Sequence, residues 1–211
     1  MKVACTVLEG ESGGNPADLL RNGNIMDISD LMTLKAVLLY ILENGGDKIR
    51  RNVYYIVKVA YFAQQKHLSK WLCPIFNDKI VALQFGPVPS SIYDALKMAR
   101  GDQKTIIYHE SDGLKEVAEA ISFDEEVFLP KETVDMDWLS KSNIDCLKEA
   151  IAEVSAMSFE QILQASHGKE WQRAYDSDRV MDYVEIAKEG GLEGQELDYL
   201  KESLELDALL K

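Results

Sequence analysis

The segment that decides the fold runs from residue 82 to residue 93 and reads Ala-Leu-Gln-Phe85-Gly86-Pro87-Val88-Pro-Ser-Ser-Ile-Tyr93. Apolar residues alternate around its start, at Ile80 and Ala82, and this alternation is typical of a short strand. The two prolines keep the residues before them out of the helical region, and the serines offer hydroxyl groups for a helix N-terminus. The sequence therefore predicts an extended segment, a rigid Gly86-Pro87-Val88 turn, and a helix from about residue 91 to residue 99.

Helical periodicity dominates on both sides of this segment. Apolar residues at three- and four-residue spacing predict a helix over residues 31–42, which Asp27 and Asp30 are placed to cap. A second helix is expected over residues 48–69, with a basic polar face that includes Lys58. The chain is predicted to be helical again from Trp138 onward, with short helices near 159–166, 169–175 and 180–188 and a last helix over 195–210.

The remaining β signal is small. Residues 105–109 are β-branched and aromatic, and we expect them to pair with residues 122–129 across a polar connection containing Asp112-Gly113. The expected fold class is mainly α: a compact multi-helix domain with a small β-hairpin or a short antiparallel sheet. We expect a flexible leader at 1–25, one domain at 26–190, and an acidic C-terminal helix at 191–211.

Charge is distributed unevenly along the 211 residues, whose formal net charge is −13. Residues 1–109 carry 13 basic and 10 acidic side chains, whereas residues 110–137 carry 2 and 10, and residues 181–211 carry 3 and 9. Phosphate contacts need basic side chains, so general nucleic-acid binding is disfavoured, and a basic protein surface is the favoured partner. An alternative is that the acidic residues only keep the protein soluble. A homo-oligomer is compatible with this composition.

Motifs for targeting, metals or catalysis do not stand out. No apolar run is long enough for a membrane span, and the N-terminus lacks the apolar core of a secretory signal, so we expect a cytoplasmic protein. The three cysteines and three histidines are scattered, which indicates neither a disulfide framework nor a metal site. No GxSxG, GxxxxGK[ST] or GxGxxG motif occurs. We therefore expect no cofactor, no metal and no enzymatic activity.

Two clusters nevertheless stand above this background. The first joins Lys58-Val-Ala-Tyr61-Phe-Ala-Gln64 to the segment at 82–93, and the second is Ser166-His167-Gly-Lys-Glu-Trp171. One interpretation is structural, with aromatic rings packed around the turn and with His167 and Trp171 stacked as i, i+4 neighbours whose ring nitrogens bond the backbone. The other is a partner-binding surface, for which the candidate residues are Tyr61, Gln64, Phe85, Gly86, Pro87, Val88, Tyr93, His167 and Trp171.

The order of these clusters resembles the Panacea domain, also known as the SocA-like or phage-associated antitoxin domain. The resemblance covers about Met32 to Tyr175 and is most specific at the Gly86-Pro87-Val88 segment. It implies a mainly helical domain that binds and neutralises a toxin encoded beside it, with no catalytic residues of its own. Two alternatives stay open: an adaptor that delivers a bound partner to a protease or regulatory complex, and an enzyme whose site includes His167.

Overall fold

A computed structural model describes residues 27–102 and 112–210. The first helix, α1, spans Ile28–Asn44, and the Asp27 carboxylate accepts a hydrogen bond from the Asp30 backbone N–H, as predicted. Its apolar residues from Leu34 to Leu42 are buried on the body of the protein. The expected leader at 1–25 and the expected strand at 105–109 lie outside the described residues.

The next segment forms two helices where a single one was predicted. Helix α2 spans Gly46–Arg50 and helix α3 spans Val53–Trp71. The break falls at Asn52, whose side chain accepts a hydrogen bond from the Tyr54 N–H and starts α3 afresh. Helix α3 lies at the centre of the fold, because it packs against α1, the first hairpin and three later helices. The predicted basic polar face is therefore partly interior, and Lys58 is completely buried.

The first hairpin is built from the segment at 80–89. Strand β1, Ile80–Leu83, pairs antiparallel with strand β2, Gly86–Pro89, with Leu83 opposite Gly86. The predicted turn at Gly86-Pro87-Val88 is therefore wrong: these residues form a strand, and the turn is at Gln84 and Phe85. The prolines are tolerated because β2 is an edge strand and does not need their missing N–H groups.

The other edge of β1 is covered by residues 179–181. The Ala82 N–H donates to the Arg179 carbonyl at 2.7 Å, and the Met181 N–H donates to the Ile80 carbonyl at 2.9 Å. Val180, which was expected to begin a helix, instead forms a bridge with Val81. Residues from about a hundred positions later in the chain thus cover the free edge of strand β1.

After the hairpin come helix α4, Ser90–Arg100, helix α5, Asp112–Glu119, and a second hairpin of strands β3, Ile121–Asp124, and β4, Val127–Pro130. The expected polar connection at Asp112-Gly113 is the start of α5. The expected strand at 122–129 is itself two paired strands. Their two-residue turn, Glu125-Glu126, has positive φ at both positions, a conformation for which glutamate gives no sequence signal.

The C-terminal part is helical, as predicted. A 3₁₀ turn at Met136–Trp138 precedes helices α6, Lys141–Ala156, and α7, Phe159–Ser166. Helix α8 is Lys169–Tyr175, α9 is Tyr183–Glu189, and α10 is Gln195–Leu210. The capping box expected at Ser158 and Gln161 is present, and α10 docks on α9 through the fully buried Leu200.

The mainly α fold class with short antiparallel hairpins is confirmed. In the two described ranges, no helix is both long and apolar enough to cross a membrane.

Candidate functional site

The two sequence clusters meet at Gly86. This residue has φ +95°, a conformation that side chains rarely adopt. A Cβ atom placed on it would lie 2.6 Å from the Lys58 Nζ, 2.7 Å from the Ser166 Oγ and 3.1 Å from the His167 Cδ2. Helix α3, strand β2 and the end of α7 therefore approach one another so closely here that only glycine fits.

Lys58 is the least expected member of this site. Its side chain is fully buried, and its Nζ donates a hydrogen bond to the Pro87 carbonyl at 2.7 Å. The amine also lies 5.4 Å from the centre of the Tyr54 ring. Among the described residues no carboxylate is within ion-pair distance of it, and desolvation lowers the pKa of Lys58 well below its ordinary value. The amine therefore fastens strand β2 to helix α3 from inside the fold.

His167 and Trp171 form the expected stacked pair, but not as neighbours within one helix, because His167 ends α7 and Gly168 starts α8. Their ring centres are 3.6 Å apart and the planes are 8° from parallel. The indole Nε1 donates to the Leu83 carbonyl at 2.9 Å, which ties α8 to strand β1. The expectation that the histidine nitrogens bond the backbone is wrong for Nε2, which is buried with no hydrogen-bond partner in the described ranges.

The surroundings of the His167 ring favour its neutral form. Desolvation, followed by the nearby Lys58 charge, lowers the pKa of His167 to about 4. A neutral imidazole stacked on an indole is a packing element, and its buried Nε2 has no hydrogen-bond partner among the described residues.

The other predicted residues divide between core and rim. The side chain of Gln64 bridges the loop after α3: it accepts from the Ile75 N–H at 2.9 Å and donates to the Phe76 carbonyl at 2.9 Å. Tyr61 is buried, and burial raises its pKa. Tyr93 is also buried, with the Lys97 amine 4.3 Å from its ring centre.

Phe85 lies at the rim, in the hairpin turn. Its ring centre is 6.1 Å from that of Phe159, which in turn lies 4.8 Å from that of Tyr54. The expectation that Tyr61, Phe85 and Tyr93 pack together around a turn does not describe this arrangement, because Phe85 packs on α7. Of the nine candidates, Phe85 and His167 are partly exposed and the other seven are buried.

Comparison with known proteins agrees with this arrangement. Residues 56–172, more than half of the chain, match the family model described as antitoxin SocA-like, Panacea domain. The chain belongs to this family. The matched segment runs from α3 to α8 and contains all nine candidate residues. Comparison with curated proteins and with solved structures gives no significant match.

Two buried carboxylates within the Panacea segment were missed by sequence reasoning. Asp78 accepts hydrogen bonds from both the backbone and side chain of Ser91 and from the Ser90 hydroxyl, so it caps α4 from another part of the chain. Burial raises the pKa of Asp78 to about 6, against the lowering effect of these hydrogen bonds. The serine hydroxyls expected to cap this helix donate to Asp78 instead, and the N-cap residue of α4 is Pro89.

Glu170 is the second of these carboxylates. Its side chain pairs with Arg173 at 2.7 Å and accepts from the Asp182 N–H at 2.6 Å. The glutamate is 4% exposed and holds the segment after α8 in place. In sequence it resembles any helical i, i+3 ion pair, so only the fold reveals that it is interior.

The side chains of this site hold the first hairpin of the Panacea domain in place. Inside the fold, the Lys58 amine ties the hairpin to α3 and the Trp171 indole ties it to α8. Gly86 lets the end of α7 approach the hairpin closely. Phe85, in the hairpin, and His167, at the end of α7, keep part of their surface exposed. The arrangement can hold a rigid binding surface, since hydrogen bonds and close packing determine the position of the hairpin.

Proposed function

We propose that this chain is an antitoxin that neutralises a cognate protein toxin, encoded by the adjacent gene, by direct protein–protein binding. The observation that carries the proposal is the match of residues 56–172 to the SocA-like Panacea domain. In this proposal the chain acts as a binding partner without a catalytic step, and the cytoplasm is where the two proteins meet.

The surface chemistry supports a basic partner. The formal net charge is −13, and the acidic side chains are concentrated at 110–137 and 181–211. Opposite charges on two proteins speed their association and select among partners. A toxin with a basic surface would therefore meet this chain faster than a neutral protein of the same size.

The candidate contact residues of the Panacea segment take two roles in this proposal. Phe85 and His167 contact the toxin directly, because they retain exposed surface. The buried residues of the group act indirectly by holding the hairpin: these are Tyr61, Gln64, Gly86, Pro87, Val88, Tyr93 and Trp171.

The test uses purified components. The product of the adjacent reading frame is assayed for its toxic activity alone and with increasing amounts of this chain, in buffer that contains no other protein. We expect stoichiometric inhibition. Inhibition that appears only after a protease is added would favour the adaptor alternative, and an unchanged toxin activity in both mixtures would reject the proposal.

A variant of the rim sharpens the test. Phe85→Ser removes an exposed aromatic contact in the turn, and Leu129→Ser is a matched control because Leu129 is a partly exposed apolar residue in the other hairpin. We expect weaker inhibition only for Phe85→Ser, compared at equal concentrations of folded protein because Phe85 also packs on Phe159. Equal inhibition by both variants would remove Phe85 from the contact surface.

A further inference from the structure

Helix α10 has apolar side chains on two faces. Leu197, Leu200 and Leu204 face the protein, where Leu200 is fully buried and the other two pack against the core. A second set points away: Tyr199 is 60% exposed, Leu206 57% and Leu209 83%. At helical spacing these three residues fall on one side, which we call the outer stripe. An exposed apolar stripe of this kind marks an interaction surface.

Acidic side chains border the outer stripe. By helical periodicity Glu196 and Asp207 lie along one side of it, and Asp198 and Glu205 lie along the other. Across residues 195–210 the sequence has five acidic residues against a single basic one, Lys201. Glu202, three residues after Tyr199 and four before Leu206, lies within the stripe and is exposed. The outer stripe therefore offers apolar contacts at Tyr199 and at Leu206 with Leu209, with one negative charge between them and further negative charge at both margins.

An exposed tryptophan lies at the end of α3. Burial, followed by the Asp207 charge, raises the pKa of the Cys73 thiol, so Asp207 on α10 lies within electrostatic range of the loop that follows α3. Trp71, two residues before that cysteine, is 55% exposed. Tryptophan is enriched among the residues that dominate binding energies at protein interfaces.

The acidic side chains around the outer stripe favour a basic partner over a second copy of this chain. Two copies of the stripe placed face to face would bring their acidic margins together, and like charges at an interface oppose association. A helix with apolar residues on one side and lysine or arginine beside them matches both the stripe and its margins.

We propose that the outer stripe of α10, formed by Tyr199, Leu206 and Leu209, is the docking surface for a basic amphipathic helix of the toxin. This inference rests on the proposed function for the identity of the partner. It places a contact outside residues 56–172, so partner selection would come from a helix that the family segment does not include.

The first experiment uses the full chain and a synthetic probe. A fluorescent amphipathic peptide of leucine and lysine is titrated against the unaltered protein and against Leu206→Ser combined with Leu209→Ser. Ile28→Ser is the matched control, since Ile28 is 79% exposed on α1. We expect the dissociation constant to weaken at least about tenfold for the double variant and to stay unchanged for the control.

Charge is tested with the same titration. A leucine and glutamate peptide of equal length should not bind, and raising the salt concentration should weaken binding of the lysine peptide. Equal affinity of the lysine peptide for the double variant and the unaltered protein would overturn the docking surface. So would equal binding of the two peptides.

The second experiment replaces the peptide with the adjacent gene's product in an inactive form. Loss of affinity in the double variant supports the proposal. If both proteins bind and neutralise it equally, the docking surface is wrong and the antitoxin function stands. If the unaltered chain does not bind it, the proposed function fails and the docking surface fails with it. A dimer of this chain that the double variant dissociates would assign the stripe to a second copy and overturn the proposal.

Discussion

Replacing Gly86 by alanine gives a direct test of how the hairpin is held. The new Cβ would meet the Lys58 Nζ at 2.6 Å and the Ser166 Oγ at 2.7 Å, and the backbone would have to keep φ +95°. A side chain in the left-handed region costs about 1–2 kcal/mol. Moving the Lys58 amine off the Pro87 carbonyl leaves a buried group unpaired, at about 1–3 kcal/mol.

These two contributions together give a loss of about 2–5 kcal/mol in the free energy of unfolding. For a protein of this length, each kcal/mol lowers the melting temperature by about 2–4 °C. The expected shift is therefore on the order of 10 °C, measured by thermal unfolding and by urea denaturation.

Gly191→Ala is the matched control. Gly191 has φ +97° but nothing within 4 Å of an added Cβ, so it tests the backbone contribution alone. We expect Gly86→Ala to lose about 1–3 kcal/mol more than this control. Equal losses in the two variants would refute the reasoning that Lys58 and Ser166 leave no room at Gly86.

The remaining predictions concern the residues around this glycine. Trp171→Ala should lose about 3–5 kcal/mol of stability, and Trp171→Phe, which keeps a ring but not the bond to the Leu83 carbonyl, about 1–3 kcal/mol; a urea midpoint of Trp171→Phe equal to that of the unaltered protein would contradict the role of that bond. Because the pKa of His167 falls to about 4 in the folded protein, the unfolded chain takes up a proton between about pH 6.5 and pH 4 that the folded ring does not. The stability advantage of the unaltered protein over His167→Gln should therefore shrink as the pH falls through this window. Asp78, with its pKa raised to about 6, has the opposite effect, but it is present in both proteins and cancels in the comparison. Parallel curves of stability against pH for the two proteins would disprove this prediction. The pKa of Lys58 is likewise lowered on folding, so the unaltered protein should gain stability relative to Lys58→Met as the pH rises to about 10.5, and a constant difference between their urea denaturation curves would contradict this.

The helices could be predicted because their signals are local. Periodic apolar residues and capping side chains, such as Ser158 with Gln161, act within a few positions of one another. The hairpins could not be predicted to the same degree. Glu125 and Glu126 adopt positive φ without the glycine or asparagine that normally announces such a turn, and strand β2 contains two prolines.

For the candidate site, the sequence identifies which segments meet but not how. The stack of His167 on Trp171 is present as expected, but it forms across the break between α7 and α8 and not within one helix. The burial of Lys58 could not be predicted, because a lysine among helical residues normally lies at the surface. Its position follows from the enclosure of α3 on several sides, which depends on contacts between distant parts of the chain. Asp78 was missed for the same reason, since it caps a helix that begins twelve residues later.

The strand pairing between β1 and residues 179–181 bears on how this protein can be cut and recombined. A fragment that stops where the family match stops, at residue 172, would leave the Ala82 N–H and the Ile80 carbonyl without their backbone partners. It would also expose Val81 along an open strand edge, and such edges recruit other chains. An exchangeable module made from this protein should therefore extend through residues 179–181, which pair with β1, and through α9. It should also retain α1, whose buried leucines are part of the core.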